Sequence, residues 1–380
     1  SIDSKHFSIG IFIDFSKAFD TINHSILLRK LDSYGIRGNV HKVLSSYLSD
    51  RYQYVSYGEL ESSLLRVTTG VPQGSVLGPL LFIIFINDIG NISQLAKFIL
   101  FADDLNLFLA HKDRNVLFQQ SNQVLRDIYS YCYENMLIIN LEKCCYIDFS
   151  RVKTNDDTPL FIRHHRLTQV EKCKFLGVVV NSNLNWDDQI RNVITQVSKS
   201  CGSLYSICQH VPTKILRQVY LSLVQPYLTY CIPLWGANFN SILMQKLFIL
   251  QKKCIRIISR KTKTINGILQ HTKPLFFRLS LLTLSNLYNY FCGCFSMRIL
   301  NQETPHNIYR QFTISDRSFR LIYPKFNSSK IKDSNFIYNG SKIINYLMMH
   351  DIPYNLLTAA VFKKRLKKHL LSIQSQSIQG

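Results

Sequence analysis

Three carboxylates stand where chemistry can happen. Asp14 closes the apolar run Phe7-Ser-Ile-Gly-Ile-Phe-Ile13, and Asp103-Asp104 separates two further apolar runs, Phe98-Ile-Leu-Phe-Ala102 and Leu105-Asn-Leu-Phe-Leu109. Short runs rich in β-branched and aromatic residues predict strands, and the second pair reads as an antiparallel hairpin turning at its two acids. If the three strand ends meet in one sheet, ionised carboxylates come close enough that they must share protons or bind cations, and hard oxygen donors select Mg²⁺. Two such ions about 3.5–4 Å apart clamp the attacking and leaving oxygens of a phosphoryl transfer. Asp14 taken singly is ordinary turn chemistry. An Asp-Asp turn after another strand that ends in Asp asks for more.

The elements that must position these acids follow from pattern. A helix is expected from Ala18 to Leu31, with Ile22, Ile26, Leu27 and Leu31 inward and Gly35 beyond its end. A second helix should run from Asn39 to Leu48. Tyr52–Tyr57 and Leu64–Thr69 then read as a hairpin around Gly58-Glu59. Gly70-Val-Pro-Gln-Gly-Ser75 is a punctuated loop opening an apolar helix that ends near Ile89. Lys112–Met136 is amphipathic and helical, and Cys145–Ser150 and Lys174–Val180 read as strands around a polar linker at Arg151–Thr158. Mixed strands and helices to this point predict an α/β or α+β layered domain over residues 1–186, with α+β the expected class. From Asp187 the period turns helical, which predicts an all-helical domain over 187–268. The rest, 269–380, is expected to be an extension with no chemistry legible in it.

The chain has 380 residues and 46% hydrophobic residues, enough for a sizeable core and too apolar for wholesale disorder. Its formal charge is +21, but residues 1–150 carry −2 and the remainder +23. A near-neutral part beside a strongly basic one suits a cation site next to a phosphate-binding surface, although charge alone leaves anionic lipid open. Ten cysteines form no CxxC pair, so neither a zinc nor a disulfide framework is expected, and a reducing compartment, nuclear or cytoplasmic, is. The apolar run Val76–Ile86 is too short to cross a bilayer, and no signal peptide is visible. No feature sets an oligomeric state.

Taken together, Phe12-Ile-Asp-Phe-Ser-Lys-Ala-Phe-Asp20, Gly70-Val-Pro-Gln-Gly-Ser-Val-Leu-Gly-Pro-Leu-Leu-Phe82, Phe85-Ile-Asn-Asp-Ile89 and Phe101-Ala-Asp-Asp104 resemble, in order and spacing, the reverse transcriptases of non-LTR retrotransposons of the Jockey and CR1 type. The likeness continues through Asn140-Leu-Glu-Lys143, Phe175-Leu-Gly-Val178, Leu184-Asn-Trp186, Tyr227–Trp235 and Phe336-Ile-Tyr-Asn-Gly-Ser-Lys-Ile-Ile-Asn345. The family's pattern places fingers and an endonuclease ahead of the first catalytic strand. Since this chain starts thirteen residues before Asp14, a fragment lacking both is expected.

The resemblance implies a polymerase palm, a helical thumb and RNA-directed DNA synthesis from an RNA template, a DNA primer and dNTPs, with two Mg²⁺ ions, or Mn²⁺, and no membrane. Asp14, the Phe15 carbonyl and Asp103 would be metal ligands, with Asp104 the adjacent acid. Phe19 would exclude a 2′-hydroxyl, and Lys17 and Ala18 would offer backbone N–H groups to the triphosphate at the start of the expected helix. Gln73 and Gly74 would lie against nucleotide and template. Lys143 would protonate pyrophosphate, and Leu176-Gly177 would belong to the primer grip. Lys199, Lys214, Arg217, Lys246, Lys252, Lys253, Arg256, Arg260, Lys261 and Lys263 would form a phosphate-binding cluster on the thumb. The competing readings are a catalytically inactive, nucleic-acid-binding remnant, a viral RNA-dependent RNA polymerase, disfavoured by Phe19 and the Val-Pro-Gln-Gly loop, and a group II intron maturase.

Overall fold

A computed structural model describes residues 6–150, 158–261, 271–315, 320–325, 335–350, 352 and 357–376. Lys263 and all of the expected linker at 151–158 except its last residue lie outside the described residues. The chain forms two compact units, residues 1–173 with 181–184 and residues 174–180 with 185–380.

In the first unit, strand β1 (Phe7–Ile13) is the centre of the sheet. Ile9, Ile11 and Ile13 are buried on one face. On the other, a methyl group added at Gly10 would lie 2.9 Å from Phe149 and 3.1 Å from Phe108, so only glycine lets those rings cover the strand. Two helices follow, α1 (His24–Ser33) and α2 (Gly38–Leu48). The first starts at an Asn23 cap whose side chain accepts from the Ile26 amide, and it stops at Gly35, at φ +84°, with the Ile36 amide returning to the Leu31 carbonyl. Strands β2 (Arg51–Gln53), β3 (Ser56–Tyr57), β4 (Leu60–Glu61) and β5 (Leu65–Val67) make the expected hairpin, β2 with β5 and β3 with β4.

Helix α3 (Leu77–Ile86) buries Leu81, Phe82, Phe85 and Ile86 and passes into a tight 3₁₀ turn over Asn87–Asn91. Strands β6 (Lys97–Phe101) and β7 (Asp104–His111) pair antiparallel, and helix α4 (Arg114–Glu134) buries a stripe from Leu117 to Cys132 at steps of three and four. Its Asp113 cap accepts from two backbone amides. Strand β8 (Cys145–Asp148), strands β9 (Phe161–Ile162) and β10 (His165–Arg166), which pair with each other, and strand β11 (Thr168–Gln169) complete the unit. The five-stranded sheet runs β11-β8-β1-β7-β6 and is antiparallel except between β11 and β8. The hairpin of β12 (Lys172–Phe175) and β13 (Val178–Asn181) follows, at the boundary between the units.

The Phe85-Ile-Asn-Asp-Ile89 motif is a polar anchor in this core. Lys30 Nζ donates to the Asp88 carboxylate and the Phe85 carbonyl, both at 2.7 Å, and the Tyr131 hydroxyl donates to Asp88 at 2.5 Å. Burial pulls the Lys30 ammonium below its ordinary range while Asp88 pushes it back up.

The second unit is mainly helical: α5 (Asp187–Ile207), α6 (Thr213–Leu223), α7 (Gln225–Thr229), α8 (Ile232–Trp235), α9 (Ile242–Ile258), α10 (Lys273–Arg278), α11 (Leu284–Leu300), α12 (His306–Tyr309), the small pair β14 (Thr313–Ile314) and β15 (Leu321–Ile322), then α13 (Phe336–Met349) and α14 (Ala359–Gln376). One hydrophobic core runs from Ile190 to Leu370, so the described residues beyond 269 share it with the helices from 187. Buried polar side chains fix the register of these layers. Gln251 of α9 donates to the Tyr220 hydroxyl and the Leu282 carbonyl, both at 3.0 Å. Asn345 of α13 exchanges two 2.8 Å hydrogen bonds with the Leu321 backbone. The Phe336–Asn345 motif is therefore a packing motif, with Gly340 set against Ser296 of α11. The described cysteines are all free.

Removing the Asp88 carboxylate leaves a largely buried ammonium without its counter-charge. Asp88→Ala is expected to destabilise the protein by about 2 kcal/mol, less than a fully buried pair because Asp88 is partly exposed, read as a lowered urea midpoint.

Candidate active site

The register of β1 against β7 assembles the acidic end. Ile13 faces Leu105, so Asp14, one residue beyond the strand, comes beside Asp104, the first residue of β7. Phe101 pairs with Asp104, which puts Ala102 and Asp103 at the turn, with Ala102 in the left-handed region at φ +51°. This corrects the expected turn by one residue: Asp104 belongs to the strand, because the ladder continues to it. Burial first, then Asp103 and Asp14, raises the Asp104 carboxyl above its usual range. Burial is the larger cause of that shift, and the two neighbouring carboxylates add to it.

Lys143 answers part of the negative charge, its ammonium lying 3.3 Å from the Asp14 carboxylate. The Asn140-Leu-Glu-Lys143 turn is itself tied to the site, since the Asn140 amide donates to the Asp14 carbonyl and the Lys143 amide to the Asn140 carbonyl. Phe15 bridges Ile139, but the hydrogen bonds of that bridge use the Asp14 carbonyl and the Ser16 amide rather than the Phe15 carbonyl. Burial pushes the neighbouring Cys144 thiol up to about 11, which leaves it protonated at neutral pH. Among the described residues no three His, Cys, Asp or Glu side chains are gathered into a metal-holding group. The hard oxygens fit a divalent cation by charge and donor type, as two or three carboxylates at one sheet end rather than a closed cage.

The expected helix start at Ala18 is also corrected. Residues 16–20 form turns, with Lys17 at φ +49° and the Asp20 and Thr21 amides returning to the Lys17 carbonyl, and α1 begins only at His24 because Asn23 is the capping residue. Lys17 is exposed and Ala18 buried, and their amides do not form a helix N-terminus.

This segment is stitched to the Gly70–Ser75 loop. The Val71 amide donates to the Phe19 carbonyl, the Gly70 amide to the Ile22 carbonyl, and Gln73 Nε2 to the Asp20 carboxylate at 2.8 Å. Gly70 sits at φ +84° where an added methyl would lie 2.8 Å from the Asp20 backbone, whereas Gly74, at φ +79°, opens onto free space. Phe19 packs its half-buried ring on Phe82, centroids 4.6 Å apart. Asp20, the last residue of the first motif, is thus a holding residue that its position in the motif signals but its type does not explain.

In the second unit, Leu176 (φ +44°) and Gly177 (φ +81°) form the two-residue turn of the β12–β13 hairpin. Two consecutive positive φ values are what a tight hairpin with right-twisted strands requires. The Tyr230 hydroxyl donates to the Leu176 carbonyl at 2.6 Å, and Trp235 Nε1 donates to the Tyr230 carbonyl at 2.9 Å. Tyr230 is the residue that sequence reasoning passed over; its signal was membership of the Tyr227–Trp235 stretch. The basic cluster is only partly free: Arg217 donates to the Leu279 carbonyl, Arg260 to the Val211 carbonyl, and Lys252 stands over the Phe248 ring.

Residues 3–180 match the family profile described as "Reverse transcriptase (RNA-dependent DNA polymerase)". That part of the chain is therefore similar to reverse transcriptase domains. More particularly, the chain is 29% identical over 278 residues to the RNA-directed DNA polymerase from mobile element jockey of Drosophila melanogaster, an alignment covering 68% of this chain and 29% of that protein. It is 27% identical over 286 residues to the probable RNA-directed DNA polymerase from transposon BS of the same species, covering 71% and 31%. The chain therefore spans about three-tenths of the length of these relatives. Among solved structures, a telomerase from Candida albicans superimposes with a TM-score of 0.39 at 12% identity, over 80% of this chain and 48% of that one. The resemblance to Jockey-type reverse transcriptases expected from the motifs is thus borne out by the profile and the relatives.

A carboxyl whose folded pKa is raised favours the fold when protonated and loses that contribution as pH rises through the folded pKa. Asp104→Asn is therefore expected to raise the melting temperature slightly at neutral pH, by about 1–2 °C. The difference from wild type should vanish on acidification below the carboxylate range, in paired thermal melts across pH.

Proposed function

We propose that this chain is the polymerising part of an RNA-directed DNA polymerase of a non-LTR retrotransposon, with the first unit as palm and the helices from 187 as thumb. The single observation that carries the catalytic reading is the β1–β7 register, which sets Asp14 beside Asp104 with the Asp103 charge acting on the same carboxyl. Asp14, Asp103 and the Phe15 carbonyl would hold Mg²⁺, or Mn²⁺, with Asp104 alongside. A divalent ion bound there offsets charge on the attacking and leaving oxygens of the transfer.

The reaction joins a primer 3′-oxygen to the α-phosphorus of a dNTP and breaks the bond to the β-phosphate oxygen, releasing pyrophosphate. Lys143, exposed and paired with Asp14, is the proton donor to that pyrophosphate. Phe19, seated on Phe82, is the wall that rejects a 2′-hydroxyl. Gln73 and Gly74 border the nucleotide, Gln73 through its hydrogen bond to Asp20 and Gly74 by having no side chain in open space. Lys17 and Ala18 contribute backbone at the turn rather than a helix end. Leu176-Gly177, latched by Tyr230, is the primer grip, and holding the 3′-oxygen in place is a large part of such catalysis. The substrates are an RNA template, a DNA primer and dNTPs. Ten free cysteines suit a nuclear or cytoplasmic setting, and no described helix is long and apolar enough to cross a membrane.

Primer extension on an RNA template with Mg²⁺ tests the reading. Wild type is expected to incorporate dNTPs and Asp103→Asn to lose about 10³-fold or more, while template-primer binding persists. Binding without extension in the wild type would instead identify a remnant. Phe19→Ala is expected to narrow the preference for dNTPs over rNTPs by about 10–100-fold, measured as the ratio of incorporation efficiencies.

A further inference from the structure

Helix α14 turns Phe362, Leu366, Leu370 and Gln374 inward at four-residue spacing, all nearly or fully buried. Lys363, Lys364, Arg365, Lys367 and Lys368 are exposed. The helix contains no carboxylate, and among the described residues no ion pair engages these five cations. Uncompensated charge of this density on one helix marks a surface for a polyanion.

Lys363 and Lys367 differ from the others in lining an open groove of about 480 Å³, whose walls include Tyr290, Phe291 and Phe295 of α11. The three rings are half-buried, so part of each remains accessible, and Tyr290 and Phe291 stand edge to face with centroids 5.3 Å apart. Arg298 also lines the groove but is held by Glu303 at 3.2 Å. Accessible aromatic rings beside two ammonium groups one helical turn apart match exposed bases joined by phosphates. A duplex presents the phosphates but stacks its bases away. A membrane surface would need a free apolar helix face, and that of α14 is already spent on the core.

We propose that this groove binds single-stranded RNA, with an unstacked base against Tyr290, Phe291 and Phe295 and neighbouring phosphates on Lys363 and Lys367. The proposal rests on the reverse transcriptase reading for its choice of polynucleotide and not on catalysis. It gives the residues beyond 269 a role as an RNA-holding surface.

The test is fluorescence anisotropy of the full chain with a labelled twelve-nucleotide single-stranded RNA, titrated over a range of KCl concentrations. The Lys363→Gln/Lys367→Gln variant is expected to bind about tenfold more weakly, with a log–log salt slope shallower by about 1.4 for two lost phosphate contacts. Lys364→Gln/Lys368→Gln removes equal charge from the same helix outside the groove and should lose less than half as much. Phe291→Leu should weaken binding about fivefold with the slope unchanged. RNA carrying 5-iodouridine should crosslink to the peptide spanning residues 284–300. Equal losses from the two lysine pairs, an unchanged slope, preference for duplex RNA, or loss of binding to phosphatidylserine vesicles without loss of RNA binding would each overturn the proposal. Asp103→Asn is expected to leave this binding unchanged. Wild type that binds this RNA but does not extend a primer would refute the polymerase reading and leave the groove standing; extension without groove-dependent binding would do the reverse.

Discussion

Like-charge repulsion at the end of one antiparallel strand pair is the constraint on which the first unit turns. The β1–β7 ladder runs unbroken from Phe7 opposite His111 to Ile13 opposite Leu105, so the backbone leaves Asp14 no choice but to arrive at Asp104. The hydrophobic sheet thus holds in place an arrangement that electrostatics alone would disperse. Lys143 relieves only part of the strain, and Asp104 stays harder to ionise than an ordinary aspartate. A cation bound there, as proposed, would relieve a repulsion that the fold has already imposed.

Many of the contacts around that strand end restrain loops. Gln73 to Asp20, Val71 to Phe19 and Asn140 to Asp14 are short hydrogen bonds between segments distant in sequence. Behind them the Lys30–Asp88–Tyr131 anchor joins α1, α4 and the turn after α3. Tyr230 does the same for Leu176-Gly177 in the second unit.

Much of this was legible because it is local or periodic. The β1 run, the acid-bearing hairpin, the α4 stripe and the helical period from Asp187 show in the residue pattern, and the Gly70–Ser75 loop shows in its punctuation. What escaped were places where backbone conformation overrides propensity or where partners lie far apart. The segment from Ala18 reads as the start of a helix by its spacing, yet Lys17 before it adopts a left-handed conformation and Asn23 takes the cap. The Asp-Asp pair looks like a turn, yet the ladder extends to Asp104. The core shared by α9, α11, α13 and α14 depends on Gln251 and Asn345 reaching residues 24 or 31 positions away, which no periodicity encodes.

Alternation along β1 puts Gly10, Phe12 and Asp14 on the same face, and that face is roofed by aromatic carbon: Phe108 and Phe149 over Gly10, with Phe12 edge-on to Phe108. Asp14 therefore ends a strip of poorly polarisable material rather than standing in bulk water. Aromatic carbon on that side screens the carboxylate less than water would, so the glycine deep in the strand, by admitting those rings, conditions the electrostatics at the strand's far end.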